Sequence, residues 1–178
     1  TSSLRRVILA TDQPDRIRAL ICDCPPGLTL TIERVDLTEW HAQRRYRFGG
    51  RAWSRHAWRG GPAGLSVYDE VVEPVVLDSI CRSHRLDAVV SVGADWALLD
   101  PGLADAVTAR HLENPEHHKI VFAHAAPGLG TMLLARETLA DVAASRGSIG
   151  IFATPAGMLG YIPVAPQFDP IARTNCVV

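Results

Sequence analysis

Asp95 is an isolated carboxylate between an apolar segment and the start of a predicted helix. The segment from Asp87 to Val92 is short and apolar, which is typical of a buried parallel strand. Pro101 suits the first position of a helix, because that position needs no backbone N–H. Asp95 would then follow the carboxyl end of a strand, where open α/β sheets bind ligands and a divalent cation could hold the phosphates of a nucleotide. The alternative is that Asp95 only caps a loop.

The stretch from His41 to Gly61 is a candidate for anion binding, because it contains six arginines and no acidic residue. Guanidinium groups pair with two phosphate oxygens at once, and the aromatic rings between them could stack on a base or a sugar. A four-residue spacing from Arg47 to Arg59 would align these side chains along a helix, although Gly49 and Gly50 interrupt it. Two alternatives are a solvated helix whose tryptophans pack on the core and a nucleic-acid-binding surface.

Two glycine-rich turns could bring backbone amides close to a ligand. The first runs from Gly60 to Gly64 and follows Arg59, which is the arginine we expect to contact phosphate. The second, from Ala126 to Gly130, follows a predicted strand, and neither turn has the fixed spacing of a P-loop. The predicted substrate contacts are Arg59, Gly60, Gly61, Asp69, Gly93, Trp96, Pro127 and Gly128.

Two further carboxylates lie near predicted helix starts. Asp69 begins the helix after the first glycine-rich turn, where the helix dipole alone favours an acidic residue. Asp100 directly precedes Pro101, and its carboxylate is predicted to cap that helix by accepting a backbone hydrogen bond. We therefore assign Asp100 to folding and Asp95 to chemistry.

Three histidines and the only lysine cluster late in the sequence. His117, His118 and His124 are close together, but two of them flank or lie within a predicted strand. That placement favours a structural role over metal binding. Lys119 lies at the start of the same strand, which leaves it poorly placed for a phosphate-binding loop.

Strands alternate with helices along the chain, without an internal repeat. Apolar and alternating patterns predict strands near residues 6–11, 28–35, 87–93 and 119–123. Helical spacing predicts helices at 13–22, around 76–81, from residue 101 onward and at 135–145. This order favours one three-layer α/β/α domain over residues 1–178, with a mostly parallel sheet covered on both faces. The proline-rich tail, 155–178, is expected to lie extended over the fold.

Composition limits the classes of protein that this chain fits. A hydrophobic content of 47% and a net charge of −1 disfavour disorder and bulk electrostatic binding of nucleic acid. No apolar run reaches the length of a membrane span, and we expect no signal peptide before Arg5. Cys22 and Cys24 are too close for an ordinary disulfide, and the four cysteines lack zinc-ribbon spacing. We therefore expect reduced thiols and a cytoplasmic location.

The run from Gly93 to Pro101 resembles the "GDxPLxDP" segment of cytidylyltransferase-like proteins in the GT-A nucleotide-diphospho-sugar transferase superfamily. That group includes the acylneuraminate cytidylyltransferases and their spore-coat polysaccharide relatives. The run from Val7 to Asp12 is similar to the second strand of the family, and Arg59-Gly60 followed by Asp69 resembles its "RG…D" segment. The resemblance implies a Rossmann-like α/β/α domain that binds a nucleoside triphosphate or a nucleotide sugar. Family members transfer a nucleotidyl group to a sugar and release pyrophosphate.

The resemblance also implies a metal site. By analogy Asp95 coordinates Mg²⁺ or Mn²⁺, which neutralises phosphate charge and helps to align the attacking oxygen. A second carboxylate usually comes from late in the chain, and Asp169 is the candidate here, with a turn cap as the alternative. In one branch of the family such a domain is joined to other enzyme modules, which are then expected partners.

The sequence departs from the family pattern in two respects. Ala94 stands where the family usually has glycine, and Ala97 replaces its usual proline. The family also begins with a strand and a glycine-, arginine- and lysine-bearing loop, whereas this sequence opens on what resembles the second strand. If that first strand is absent, we expect a gap, a substitute strand or an unprotected edge near Val7. Three functions stay open: a nucleotidyltransferase, a catalytically silent sugar-nucleotide-binding module, and a glycosyltransferase of the same fold.

Overall fold

The computed structural model describes residues 4–21, 23–43, 71–123, 128–145 and 161–164. Within these ranges the strands are β1 (Arg6–Thr11), β2 (Thr29–Arg34), β3 (Ala88–Ser91), β4 (Ile120–Ala123), β5 (Met132–Ala135) and β6 (Tyr161–Val164). The helices are α1 (Pro14–Leu20), α2 (Thr38–Ala42), α3 (Pro74–His84), α4 (Pro101–Glu113) and α5 (Arg136–Ser145). None of these helices combines the length and the apolar character that a membrane span requires.

The four predicted strands are confirmed as β1 to β4, whereas β5, β6 and the short helix α2 were not predicted. The sequence of β5 is Met-Leu-Leu-Ala, which contains no β-branched residue and leads directly into α5. Its composition therefore favours a helix over a strand. β6 lies in the proline-rich tail and contains Pro163, a residue that argues against a strand when only the sequence is known.

The strands form two sheets that differ in their pairing. β1 and β2 are parallel, with Arg6 opposite Thr29 at one end and Thr11 opposite Arg34 at the other. The second sheet has the order β3–β5–β4–β6, in which β5 is antiparallel to both of its neighbours and β6 is parallel to β4. β3 and β4 therefore run in the same direction.

The described fold is thus a mixed α/β fold, and only the pairs β1–β2 and β4–β6 fit the predicted parallel arrangement. The reason lies in the connection between β4 and β5. Only residues 124–131 separate the two strands, and a connection of this length joins antiparallel neighbours, whereas parallel neighbours need a longer crossover. The sequence-based prediction missed this return because it merged β5 with the following helix.

Helices lie against both faces of the four-stranded sheet, because successive side chains of a strand point to opposite faces. On one face, Ile120 and Phe122 of β4 join side chains of α3 and α5, including Cys81. On the other face, Val121 of β4 joins Leu103 of α4. All residues of β4 and β5 are buried. These two strands are therefore the centre of the hydrophobic core.

The helix ends follow local sequence signals. Pro74 and Pro101 are the first residues of α3 and α4, which confirms the predicted position of Pro101. α3 ends at Arg85, which has a left-handed backbone (φ 53°), and the N–H of Leu86 donates to the carbonyl of Cys81 at 2.9 Å. α1 is shorter than the predicted helix at 13–22, and its last residue, Leu20, is 69% exposed.

A histidine at the end of α3 connects this helix to the two-stranded sheet. His84 contacts the guanidinium of Arg6 in β1 through Nδ1 and the carboxylate of Glu33 in β2 through Nε2. Among the described strands, β1 pairs only with β2, and Val7 in β1 is 40% exposed. Within the described residues, β1 is therefore paired along one side only.

Candidate functional site

The carboxyl ends of β3 and β4 lie at the same edge of the four-stranded sheet, because the two strands are both antiparallel to β5. The start of β5 lies at that edge too, since Met132 is opposite Ser91 and Phe122. The loop after β3 (residues 92–100) and the segment before β5 (residues 128–131) therefore meet there. We call this region the Asp95 edge.

The loop after β3 is a series of tight turns. The N–H of Trp96 donates to the carbonyl of Gly93 at 3.1 Å, and the N–H of Leu99 donates to the carbonyl of Trp96 at 3.1 Å. The loop is joined to the segment before β5 by the N–H of Asp100, which donates to the carbonyl of Leu129 at 2.9 Å. These bonds fix the path of the backbone on both sides of Asp95.

Gly93 allows two side chains to fold back over the backbone. A Cβ atom at this position would lie 2.8 Å from Oδ1 of Asp95 and 2.8 Å from Nε1 and Cδ1 of Trp96. A Cβ atom does not approach its non-bonded neighbours so closely, so any larger residue would displace both side chains. The glycine at position 93 therefore brings the carboxylate of Asp95 and the indole of Trp96 together.

The indole of Trp96 belongs to the hydrophobic core. Its side chain is only 6% exposed and packs in the cluster that contains Phe122 and Met132. Its Nε1 is buried and has no hydrogen-bond partner among the described residues. Gly128, which has a left-handed backbone (φ 85°), lies against the same ring, because a Cβ atom placed on this glycine would be 3.9 Å from Cγ of Trp96. Trp96 thus anchors the loop after β3 to the hydrophobic core.

A pair of buried hydroxyl groups fixes the end of β3. Oγ1 of Thr131 donates to the carbonyl of Ser91 at 2.7 Å, and Oγ of Ser91 donates to the carbonyl of Val71 at 2.8 Å. Thr131 is fully buried, so this bond satisfies its hydroxyl group away from water. Sequence reasoning missed both residues, and the only signal was a polar residue at each end of an apolar run.

Asp95 is an exposed residue at this edge. Within the described residues there is no group of three or more His, Cys, Asp or Glu side chains that could hold a metal ion. A single accessible carboxylate fits a magnesium ion, which often takes one or two protein carboxylates and keeps water and phosphate oxygens as its other ligands. The fit therefore requires a ligand that carries phosphate.

The structure brings together four of the predicted site residues: Gly93, Asp95, Trp96 and Gly128. It also confirms the separate role of Asp100, whose Oδ1 accepts a hydrogen bond from the N–H of Gly102 at 2.7 Å. The other predicted site residues lie outside the described residues: Arg59, Gly60, Gly61, Asp69, Pro127 and Asp169.

The histidines and the lysine near β4 have structural contacts. His111 Nδ1 donates to the carbonyl of His118 at 2.8 Å, and His118 Nδ1 donates to the carbonyl of Arg110 at 2.6 Å. Both rings are buried, which confirms the structural role predicted for His118. Nζ of Lys119 lies 2.6 Å from Oε1 of Glu137, and this hydrogen bond raises the pKa of Lys119. His124 lies outside the described residues.

Comparison of the chain with protein-family models, with curated protein sequences and with solved structures finds no significant match. A functional assignment must therefore come from the residues of the chain and from the geometry of the Asp95 edge.

Proposed function

We propose that this chain is a nucleotidyltransferase-like domain that binds a nucleoside triphosphate or a nucleotide sugar together with Mg²⁺ or Mn²⁺. Its role would be the activation of a sugar for polysaccharide or glycan biosynthesis in the cytoplasm. The observation that carries the proposal is the exposed carboxylate of Asp95 at the end of β3, held beside Gly93 and close to Gly128. An exposed carboxylate between two turns at the carboxyl ends of parallel strands is suited to a metal-bound phosphate group.

The fold supports the proposal in two respects. Helices lie on both faces of the four-stranded sheet, as in the Rossmann-like three-layer domain that the sequence resembles. Among the described strands, β1 pairs only with β2, which leaves an edge to which a further strand could be added. A strand and a phosphate-binding loop supplied by another module of the same polypeptide would extend the sheet at that edge.

Asp95 would hold the metal ion, and Asp169 would be its second carboxylate. The metal would neutralise charge on the phosphates of the bound nucleotide. Other residues would position this carboxylate. The backbone hydrogen bonds of Asp100 and Trp96 keep the loop in place, and Gly93 leaves room for the carboxylate to lie close to the backbone. Arg59 is the arginine that we propose as the phosphate contact.

Two alternatives use the same edge differently. A catalytically silent module would bind a nucleotide sugar there without turnover. A glycosyltransferase of the same fold would use Asp95 and its metal to stabilise a departing nucleoside diphosphate. Release of pyrophosphate identifies nucleotidyl transfer, release of nucleoside diphosphate identifies glycosyl transfer, and binding with neither product identifies the silent module.

The first test is a thermal-shift screen of the full chain against the common nucleoside triphosphates and nucleotide sugars, with and without magnesium. We expect at least one compound to raise the melting temperature only when magnesium is present. A hit is then assayed for pyrophosphate release with sugar acceptors. If no compound stabilises the chain in the presence of either metal, the proposed function is wrong.

A further inference from the structure

The carboxyl end of β1 carries a second group of polar side chains, which the proposed function does not use. Asp12 directly follows β1, and His41 lies in α2, 29 residues later in the sequence. Their side chains meet, with 2.9 Å between Nε2 of His41 and Oδ2 of Asp12. We call these two residues the Asp12–His41 pair.

Asp12 is held in place from two sides. Nη1 of Arg34, the last residue of β2, donates to the backbone carbonyl of Asp12 at 3.2 Å, and Nη2 of the same guanidinium contacts Oδ2 of Asp15 at 3.2 Å. The N–H of Gln13 donates to Oγ1 of Thr11 at 3.1 Å. The turn after β1 therefore presents the Asp12 carboxylate in a defined direction.

His41 is held in place by the start of its helix. The N–H of Thr38 donates to Oδ1 of Asp36 at 2.9 Å, and the N–H of His41 donates to the carbonyl of Leu37 at 2.8 Å. Hydrogen bonds from the Thr38 side chain and backbone hold the pKa of Asp36 below its usual value, so this carboxylate stays ionised as an acceptor. The position of His41 does not depend on the bond to Asp12 alone.

The bond to Asp12 determines which imidazole nitrogen is available. A carboxylate accepts but does not donate, so in the neutral ring the proton lies on Nε2 and the lone pair lies on Nδ1. The side chain of His41 is 50% exposed, so the ring is partly open to solvent. A carboxylate that orients a histidine in this way is the arrangement by which proteins direct an imidazole toward a hydroxyl group.

The surroundings of His41 favour a sugar as the source of that hydroxyl group. The ring of Trp40 lies 5.2 Å from that of His41, at an angle of 82° between the two planes. An indole provides apolar surface of the kind that packs against a sugar ring, while the neighbouring imidazole accepts a hydroxyl hydrogen bond. Arg34 adds a cation whose side chain is 64% exposed.

We propose that the Asp12–His41 pair is a sugar-binding site in which Nδ1 of His41 accepts a hydrogen bond from a hydroxyl group of the ligand. The site goes beyond the proposed metal and nucleotide site, because none of its residues belongs to the Asp95 edge. The shared chemistry is the hydroxyl group, which a neutral sugar or a sugar phosphate can supply. Arg34 would favour the sugar phosphate through its charge.

The test is a titration of the full chain, labelled with ¹⁵N at histidine, with glucose, with glucose 1-phosphate and with inorganic phosphate, in the absence of nucleotide and magnesium. We expect the free protein to show His41 with its proton on Nε2, and a saturable change of the Nδ1 resonance with one or both sugars. Under these conditions the outcome is independent of whether the proposed nucleotide site is right. His117, which is exposed and has no carboxylate partner among the described residues, serves as the internal control.

Asp12→Asn removes the charge that orients the ring and should weaken sugar binding about tenfold or more, or roughly 1.4 kcal/mol. His117→Asn should leave binding unchanged, and the amide spectrum of each variant shows whether it is folded. Binding of glucose 1-phosphate alone supports the proposal and assigns Arg34 a part in it. Three results would overturn it: no saturable change at His41, equal changes at His41 and His117, or inorganic phosphate binding as tightly as the sugar phosphate.

Discussion

The side-chain hydroxyl of Thr131 and the backbone carbonyl of Ser91 are joined by a buried hydrogen bond of 2.7 Å. The two residues are 40 positions apart in the sequence, and the bond lies where β3 ends and β5 begins. It therefore ties together the two loops that form the Asp95 edge.

Thr131→Val should destabilise the protein by about 0.5–1.5 kcal/mol, because it removes a buried hydrogen bond that joins the segment before β5 to the end of β3. The free energy of unfolding in urea measures the effect. Thr108→Val is the matched control: Oγ1 of Thr108 donates to the Ala104 carbonyl one turn earlier in α4, and such a bond within one helix adds little to stability. Equal losses of unfolding free energy in the two variants would show that the Thr131 bond stabilises the protein no more than a bond within one helix does.

Gly93→Ala should disturb both stability and ligand binding. The added methyl group would lie 2.8 Å from atoms of Asp95 and Trp96, and Trp96 is packed in the core, so it cannot move aside freely. We expect a loss of about 1–3 kcal/mol in unfolding free energy. Gly102→Ala provides the comparison, because the methyl group there meets only Oδ1 of Asp100 at 3.2 Å in the first turn of a helix. That variant should stay within about 1 kcal/mol of the original protein.

Asp95 and Asp100 should respond differently to substitution. Asp95→Asn keeps the shape but removes the charge, so we expect normal folding and a loss of magnesium-dependent nucleotide binding. Asp100→Ala removes the cap of α4 and should lower stability by about 0.5–2 kcal/mol, with the magnesium dependence intact. Calorimetric titration and urea unfolding of both variants separate the two effects. Equal magnesium-dependent binding by Asp95→Asn and the unmodified chain would rule out the metal role.

Cys81 should be inert as a thiol in the folded protein. Burial, reinforced by the negative charge of Asp78, raises its pKa to about 11. The folded state therefore disfavours the thiolate. Because the thiol ionises near pH 9 in the unfolded chain and near pH 11 in the folded protein, the stability linked to this group is complete below about pH 9 and is lost as the pH rises to about 11. Alkylation at pH 8, followed by mass spectrometry of the peptides, should modify the exposed Cys24 first and Cys81 only in denaturant. Equal rates in the folded protein would contradict the buried position of Cys81.

The sequence predicted the local elements better than their arrangement. β1 to β4 and the start of α4 follow from apolar runs and from the proline at position 101. The direction of β5 does not follow from the sequence, because four apolar residues ahead of a helix carry no signal of strand pairing. The pairing depends on the buried position of Met132 and Leu134 between two other strands.

The candidate site was predictable to a similar extent. The role of Asp100 follows from its place before a helix-initiating proline. The position of Asp95 at the end of β3 follows from its place after an apolar segment. The Asp12–His41 pair could not be found in the same way, because its two residues are 29 positions apart and meet only in the folded chain. Contacts of this kind depend on tertiary structure, which spacing along one element does not report.

The division of the described strands into two ladders has a consequence for how the molecule opens. A two-stranded pair is marginal in water, whereas β4 and β5 are wholly buried. Backbone amides of β1 and β2 should therefore exchange with solvent through a local opening, and those of β4 and β5 only when the whole domain unfolds. Such an opening would separate Asp12 from His41 while Asp95 stays in place, so the proposed sugar site would be lost before the proposed nucleotide site.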